Sequence, residues 1–546
     1  MSKIRRFLLR PVARLAGMHA NRQLRAFLRA HRHTAQVQQR LLAELLAAHA
    51  DTDFGRDHGF AQIRTYADFT KAVPVGDYET HRPYMEKVWA GRTTALLPAD
   101  QPVQMFSRTS GTTGKPKHIP VTARFLNTMR RGWNVWGVAA LNDHRRAWLR
   151  PILQIASPMR ELDSPTGVPC GAISGLLAFT QKPIVRRMYV VPPAVATIPD
   201  PAARYYVTLR CGVGRDVAFI TAANPSSTIK LIETGQLHVQ RLIRDVADGT
   251  LSAPADLPAD VAASLHFRPD RLTARRLEAG IARDGQLLPR HFWNIEYLAN
   301  WTGGTLRLYL RRLKELFGPV PIRDIGLLAS EGHFSVPLAD GTAAGVAEIT
   351  ANFLEFIPAA QADSAQPSGV LSHEVVTGGE YSLMVSNWGG LWRYHMDDRV
   401  RVVDKLGDSP IFEFLSRGRH TANITGEKIT EHQVVEAMRG AAAATNSTVQ
   451  RFVFQGRYVP AMPFYELRLE PPDGTNLQRL AAAMDDALGE LNVEYRSKRS
   501  SGRLGPIRPI ILAAGTLESA EREQMRLRGG RSEQYKHKYL LTDVLE

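Results

Sequence analysis

The sequence is poor in cysteine, with only Cys170 and Cys211 among its 546 residues. A disulfide framework needs more thiols than this, so we exclude a disulfide-stabilised secreted protein and expect a reducing, cytoplasmic location. The sequence also lacks any run of about 18 apolar residues, which excludes an ordinary membrane-spanning helix.

Acidic residues are absent before Glu44, whereas ten basic residues from Lys3 to Arg40 precede it. These ten residues supply most of the formal net charge of +16, so the excess of positive charge is local. The opening stretch MSKIRRFLLRPVARLAGMHANRQLRAFLRAH has helical periodicity, interrupted by Pro11. It is compatible with a membrane-surface helix, a transit-like segment or, as Pro11 favours, a helix docked on its own domain.

The length predicts two or three domains. Strand-like runs (DVAFITA, PIRDIGLLA, YSLMVSN) alternate with helical spacing (SSTIKLIETGQLHVQRLIRDV), which favours an α/β architecture with buried strands. Earlier in the chain, QVQQRLLAELLAAHADTDFGRDHGF predicts a helix that ends near Asp53 to Gly55. The stretch from Tyr66 to Tyr78, which contains Pro74, is predicted to be a loop.

The residue pattern changes near Ser416 to Arg419, where we predict a domain boundary. The large domain would comprise residues 1–415, with residues 1–40 as its basic helical start, and a small α+β domain would comprise residues 416–546. In the small domain, Thr430 and Gln433 have the spacing of a helix capping box. RFVFQGRY and FYELRLE predict half-buried strands, and a later helix has an apolar face formed by Leu480, Met484, Leu488 and Leu491.

The run FSRTSGTTGKPKHIPVT is rich in glycine and hydroxyl side chains. Hydroxyl groups, close backbone approach at glycine and two lysines suit a loop that surrounds a polyphosphate. The spacing differs from a Walker A loop. On these residues alone, an ordinary surface connection is the alternative.

The order Ser-Gly-Thr-Thr-Gly followed by Lys-Pro-Lys resembles the phosphate loop of the adenylate-forming superfamily of acyl ligases and luciferase-like enzymes. Further markers over about residues 40 to 540 resemble the Gretchen Hagen family, the acyl acid amido synthetases of plants and their bacterial relatives. These markers are DTDFGRDHGF with PVGDYETHRPYMEKVWAGR, WTGGTLRLYL, LLASEGHF, GGLWRYHMDD, NITGEKITE, LNVEYRSKRSSGRLGPIR and GGRSEQYK. The resemblance implies a large N-terminal α/β domain of packed sheets and helices and a smaller, mobile α+β C-terminal domain.

The resemblance also implies roles for individual residues. Glu331 would hold a catalytic Mg²⁺, Asp398 would accept the ribose hydroxyls of ATP, and Arg417 would act at the hinge between the domains. Lys536 would stabilise charge at the α-phosphate, and Lys428 would be a second cation of the small domain. Further nucleotide-binding residues would be Thr109, Ser110, Gly111, Thr112, Thr113, Gly114, Lys115 and Ser330.

Two positions depart from the family pattern. Leu327 stands where the family usually has tyrosine, which leaves Phe334 or Tyr394 to contact adenine. Asp397 stands where the family usually has glycine, which leaves a choice between two carboxylates for ribose, and the register favours Asp398.

The implied activity is ATP-dependent conversion of a carboxylic acid to an acyl adenylate, followed by transfer to an amine such as an amino acid. One alternative is an acid–thiol ligase that uses coenzyme A or a carrier protein, although LNVEYRSKRSSGRLGP is similar to the amido synthetases. A remote alternative is a non-catalytic basic protein that binds nucleic acid or a membrane surface. We expect small-molecule partners, no nucleic acid, and peripheral membrane contact through residues 1–40.

Overall fold

The structure is a computed structural model. It describes residues 17–18, 21–109, 117–181, 183–362, 364, 366–417, 421–422, 424, 427, 429–459, 462–470, 474, 476–500, 504–527 and 537–545. The chain divides into two compact units. The first comprises Met1–Thr302, Arg312–Met396 and Val400–Glu413, and the second comprises Gly303–Arg311, Asp397–Arg399 and Phe414–Glu546.

A parallel sheet of four short strands lies in the first unit. In spatial order its strands are Ile152–Gln154, Phe219–Thr221, Tyr297–Ala299 and Ile322–Arg323. Apolar side chains of the first three strands are buried in a core shared with Val135, Trp136 and Ala140 of a long helix. Parallel strands buried in this way are typical of α/β proteins, and the predicted fold class is confirmed.

Three further sheets follow different patterns. A four-stranded sheet has the order Lys117–Thr122, Val103–Thr109, Pro169–Gly171, Leu162–Asp163. A seven-stranded sheet has the order Ser335–Val336, Gly345–Ala347, Ser409–Arg417, Tyr394–Leu406, Glu380–Asn387, Asn352–Pro358, Val370–Leu371. A hairpin pairs Leu328–Ala329 with Gly332–His333.

Helices connect and cover these strands. They span residues 21–30 and Thr34–His49, Asp53–Asp57, Tyr66–Ala72, Tyr78–Trp89, Ala123–Asp143, Ile173–Phe179, Pro183–Arg186, Pro201–Gly212, Pro225–Leu237, Val239–Asp248, Ala259–Ser264, Arg271–Asp284 and Leu310–Phe317. Within the described ranges, no helix combines the length and the apolar character that crossing a bilayer requires.

Two predictions for the first hundred residues are wrong. The helix predicted to end near Asp53 to Gly55 ends at His49. Thr52 then caps a separate short helix, Asp53–Asp57, by accepting a hydrogen bond from the Gly55 backbone N–H at 2.9 Å. The predicted loop from Tyr66 to Tyr78 begins with the helix Tyr66–Ala72. Thr65 and Asp68 form a capping box at its start, and this spacing was visible in the sequence.

The strand and helix predictions further along are correct in type but not always in extent. The run YSLMVSN lies within Glu380–Asn387, as predicted, whereas PIRDIGLLA contains two short strands separated at Gly326, whose φ of 83° interrupts an extended backbone. The long helical run is divided at His238 into Pro225–Leu237 and Val239–Asp248.

The second unit contains a four-stranded sheet of order Arg508–Ile511, Phe464–Leu469, Phe452–Arg457, Leu540–Leu545. A smaller sheet pairs Thr421–Ala422 with Ile429–Thr430, and the helices are Glu431–Ala444, Leu477–Leu491, Val493–Ser500 and Thr516–Leu527. The capping box of Thr430 and Gln433 is confirmed. Leu480, Met484 and Leu488 are buried as predicted, but Leu491 is 46% exposed.

Candidate functional site

Ser330 and Glu331 form the two-residue turn of the hairpin between Leu328–Ala329 and Gly332–His333. They therefore follow a strand, as predicted, but this strand belongs to its own hairpin and not to the parallel sheet. Glu331 is 2% exposed. Its backbone carbonyl accepts a hydrogen bond of 2.6 Å from the Asn387 amide, which fixes the turn.

The hairpin turn is connected to the strand that precedes the glycine-rich run. The Ser107 hydroxyl, in Val103–Thr109, donates a hydrogen bond of 2.7 Å to the Ser330 hydroxyl. In the same strand, Thr109 pairs directly with Lys117 of the antiparallel strand Lys117–Thr122. The chain from Ser110 to Pro116 therefore joins two adjacent strands, and one of these strands contacts Ser330. The predicted phosphate-binding residues Ser110, Gly111, Thr112, Thr113, Gly114 and Lys115 lie outside the described residues.

Lys117 is held beside two tyrosines. Its Nζ lies 3.2 Å from the Tyr394 hydroxyl and 5.4 Å from the centre of the Tyr78 ring. The Tyr78 hydroxyl in turn accepts a hydrogen bond of 2.9 Å from the backbone N–H of His118. Burial, reinforced by nearby Arg108 and Arg82, lowers the pKa of His118 to about 4, so this ring is neutral at pH 7.

The segment GGLWRYHMDD is anchored by a buried ion pair. Arg393 Nε lies 3.2 Å from Glu355 Oε1, and the two side chains are 6% and 0% exposed. The Tyr66 hydroxyl donates a second hydrogen bond of 2.7 Å to the same carboxylate oxygen. The backbone N–H of Trp392 donates to His81 Nε2 at 3.1 Å. These contacts fix the chain immediately before Tyr394.

Asp397 and Asp398 differ in backbone conformation and exposure. Asp397 has a φ of 62°, in the left-handed region that favours glycine, and its side chain is half-buried. Asp398 is 5% exposed. The conformation explains why glycine suits position 397, because Asp397 interrupts the extended backbone within the strand Tyr394–Leu406, where a short polar side chain tolerates a positive φ.

The two candidates for adenine contact, Phe334 and Tyr394, and Leu327 at the family's tyrosine position are buried to different degrees. Phe334 is 0% exposed within the main apolar core, and Tyr394 is 2% exposed. Leu327 is half-buried at the edge of the same core, where its backbone N–H donates to the Ser335 hydroxyl at 2.9 Å. Of the three side chains, Leu327 therefore presents the most accessible surface.

Of the four remaining predicted site residues, two end strands. Arg417 ends the strand Ser409–Arg417, and Thr109 ends Val103–Thr109, so their backbones are placed in strands. Lys428 and Lys536 lie outside the described residues.

The Glu331 carboxylate is chemically suited to serve as one protein ligand of a divalent cation. No described residue donates a hydrogen bond to the Glu331 carboxylate or pairs with it. A buried carboxylate in this state needs solvent or a cation to offset the cost of burial. Among the described residues no group of three or more His, Cys, Asp or Glu side chains could hold a metal. Mg²⁺ typically takes one or two protein carboxylates together with substrate phosphates, and Glu331 can supply one.

Two residues that position the turn were missed by the sequence reasoning. Ser107 lies two residues before Thr109 in the run FSRTSGTTGKPKHIPVT, and no local pattern identifies it as a contact of Ser330. Asn387 is the last residue of the strand-like run YSLMVSN, and its polar side chain at the end of a strand is the one signal that could have found it.

Three consecutive family models match the chain. They are described as the GH3 family N-terminal domain at residues 23–322, the GH3 family central domain at residues 346–417 and the GH3 family C-terminal domain at residues 432–544.

Curated relatives are similar over most of their length. A probable indole-3-acetic acid-amido synthetase of Oryza sativa subsp. japonica, GH3.2, is 25% identical over 537 residues, which cover 88% of this chain and 84% of the relative. The jasmonoyl-L-amino acid synthetase GH3.5 of the same organism is 24% identical over 526 residues and 89% of each chain.

Solved structures share the fold. An AtGH3.15 acyl acid amido synthetase in complex with 2,4-DB superposes with a TM-score of 0.84 at 20% identity, covering 96% of this chain and 95% of that one. A 2-hydroxyisobutyryl-CoA ligase in the postadenylation state gives a TM-score of 0.51 at 13% identity, covering 93% and 88%.

Proposed function

The chain belongs to the GH3 family, and we propose from this that it is an ATP-dependent acyl acid amido synthetase. It converts a small carboxylic acid to an acyl adenylate and then joins the acyl group to an amine, which we propose to be that of an amino acid. The observation that carries this proposal is the match of all three GH3 domains, in order, between residues 23 and 544.

In the first half-reaction, a carboxylate oxygen of the acid attacks the α-phosphorus of ATP. A new P–O bond forms, the bond to the β-phosphate oxygen breaks, and pyrophosphate leaves. The run from Thr109 to Lys115 and Ser330 bind the phosphates, and Asp398 accepts hydrogen bonds from the ribose hydroxyls. Lys536 stabilises the negative charge that develops at the α-phosphate, and Lys428 adds positive charge from the second unit.

Glu331 is the proposed protein ligand of Mg²⁺. When bound, the ion offsets the charge of the phosphate oxygens as pyrophosphate departs. The Asn387 hydrogen bond to the Glu331 carbonyl and the Ser107 hydrogen bond to Ser330 hold the turn in place. Both contacts support a preorganised site, because a fixed turn needs no rearrangement when the nucleotide binds.

In the second half-reaction, the amine attacks the acyl carbon, a C–N bond forms, and AMP leaves with one of the original carboxylate oxygens. Arg417 acts at the joint about which residues 416–546 move between the two steps, which withdraws Lys536 and admits the amine. Exclusion of water protects the adenylate from hydrolysis.

A substrate screen tests this function. The purified chain is incubated with ATP, Mg²⁺, a panel of aromatic and aliphatic carboxylic acids and a mixture of amino acids, and products are identified by mass. We expect amide products together with AMP and pyrophosphate. No amide with any amino acid, together with thioester formation in a parallel incubation that contains coenzyme A instead, would identify an acid–thiol ligase.

A further inference from the structure

The helix at residues 21–30 has two chemically different faces. On one face Phe27 is 4% exposed and packs with Trp136 and Ala140, and Leu24 and Leu28 contact the same core. Just after the helix, His31 is fully buried, with Nδ1 2.6 Å from the Phe27 carbonyl and Nε2 2.8 Å from the Ala347 carbonyl. The apolar face is therefore docked on the first unit, and the helix is fixed in place.

The other face is lined by arginines. Arg22, Arg25, Arg29 and Arg32 follow one another at intervals of three, four and three residues, which places them on one side of the helix. All four side chains are exposed and border one surface depression. None of them forms an ion pair with any residue that the structure describes. Their positive charge is therefore directed to solvent.

This arginine face is not explained by the proposed catalytic site. None of the four arginines is among the proposed site residues, and the family match begins at residue 23, so Arg22 and the preceding basic residues lie outside it and the other three lie within it. The preceding sequence adds Lys3, Arg5, Arg6, Arg10 and Arg14, interspersed with apolar residues such as Phe7 and Leu8. Met18, next to the helix, is 54% exposed. Apolar and basic residues thus occur together in the part of the sequence that precedes the family match.

We propose that the arginine face, formed by Arg22, Arg25, Arg29 and Arg32, docks the protein on the anionic surface of a lipid membrane. Four arginines on a fixed helix can contact several lipid phosphates at once. The apolar residues among the preceding basic residues favour a membrane over a nucleic acid, because a bilayer interface accepts apolar side chains whereas a phosphodiester backbone does not. The helix itself remains folded on the first unit.

Vesicle flotation with the full chain tests this docking. The probes are phosphatidylcholine vesicles with and without about one third phosphatidylglycerol, and a fluorescent DNA duplex serves as the nucleic-acid comparison. The test variant is R22Q/R25Q/R29Q/R32Q. The matched control, R268Q/R271Q/R275Q/R276Q, removes the same charge from other exposed positions. Thermal melting and pyrophosphate exchange with ATP verify that both variants are folded.

The wild-type chain is expected to float with the anionic vesicles and not with phosphatidylcholine alone, and to detach at high salt. Each arginine near an anionic leaflet strengthens binding about fivefold, so the test variant, which lacks four, should bind about 600-fold more weakly. The control should change less than about threefold. The proposal is overturned if the wild type ignores anionic vesicles, if the control loses as much binding as the test variant, or if the duplex is bound in preference to the vesicles. If the melting temperature falls only in the test variant, the same vesicle binding is measured with the single variants R25Q and R29Q.

Discussion

Glu331 is the side chain whose surroundings point most directly to chemistry. Its carboxylate is 2% exposed without a described donor, at a turn fixed by Asn387 and Ser107. Glu331→Gln removes the charge that would hold Mg²⁺ and keeps the shape of the side chain. Because metal-ion stabilisation amounts to several kcal/mol, kcat for pyrophosphate release should fall at least about 100-fold. Glu278→Gln, at an exposed helical position, is the matched control and should leave kcat unchanged. Equal activity of the two variants would remove Glu331 from the metal site.

The pair Asp397 and Asp398 offers a second test at the scale of single residues. Since Asp397 has a φ of 62°, Asp397→Gly should retain ATP affinity, and Asp397→Val should destabilise the fold by about 1–2 kcal/mol through steric conflict in the left-handed region. Asp398→Asn should raise the KM for ATP. Chemical denaturation and ATP titration measure the two effects. A loss of ATP affinity in Asp397→Gly as large as in Asp398→Asn would show that the register assignment is wrong.

These residues also show what single positions reveal in a sequence. The Asp397 departure was visible, but its backbone conformation was not, because φ depends on the strand into which the segment folds. Ser107 is 223 positions from its partner Ser330 in the sequence, and Asn387 is 56 positions from its partner Glu331. No local pattern predicts contacts between residues so far apart.

At the scale of secondary-structure elements, the ion pair between Glu355 and Arg393 joins the strand Asn352–Pro358 to the segment before Tyr394. Arg393→Met leaves a buried carboxylate unpaired and should lower the free energy of unfolding by about 3–5 kcal/mol. Arg401→Met breaks the partly exposed pairs with Glu380 and Glu413 and should cost about 1 kcal/mol or less. Urea unfolding measures both.

The double variant Glu355→Gln/Arg393→Met should recover part of the loss, because it removes the unpaired charge. If Arg393→Met and Arg401→Met have similar unfolding free energies, the buried pair does not anchor this segment.

His81 connects the helix Tyr78–Trp89 to the same segment. Its Nδ1–H donates to the Asp77 carbonyl at 2.9 Å and its Nε2 accepts from Trp392, so the ring is held neutral. Burial lowers its pKa to about 4 from the ordinary value of 6.5. Between pH 4 and pH 6.5, the unfolded chain therefore binds a proton at this histidine that the folded chain does not bind. The contribution of the neutral ring to the free energy of unfolding is complete above pH 6.5 and is lost as the pH falls toward 4.

For His81 alone, this difference corresponds to about 2 kcal/mol at pH 5. The decrease in unfolding free energy from pH 7 to pH 5 should therefore be smaller by about that amount in His81→Gln. His33→Gln, at an exposed position, should keep the wild-type pH dependence. An identical pH dependence in His81→Gln and the wild type would contradict the neutral, buried assignment.

Element prediction succeeded where the local pattern was strong. The capping box of Thr430 and Gln433 and the strands Phe452–Arg457 and Phe464–Leu469 follow directly from spacing and alternation. The helix Tyr66–Ala72 was not predicted, because Pro74 favours a loop, whereas Thr65 and Asp68 form a capping box that starts a helix. The exposed Leu491 lies in the last turn of its helix, where periodicity alone does not predict burial.

For the whole molecule, the ordered markers between about residues 40 and 540 led to the correct family and fold, which the three matched domains confirm. The predicted contiguous division at residues 415 and 416 remains a prediction. The compact units include Gly303–Arg311 and Asp397–Arg399 with the C-terminal part, and such assignments depend on long-range packing that a linear pattern does not contain.

The central claim is that an acid oxygen attacks the α-phosphate of ATP before an amide forms. The most direct measurement uses a carboxylic acid labelled with ¹⁸O in both oxygens, identified by the substrate screen, together with ATP, Mg²⁺ and the amino acid. Mass spectrometry should find one ¹⁸O in AMP and one in the amide. Unlabelled AMP accompanying amide formation would contradict the acyl adenylate and, with it, the proposed function.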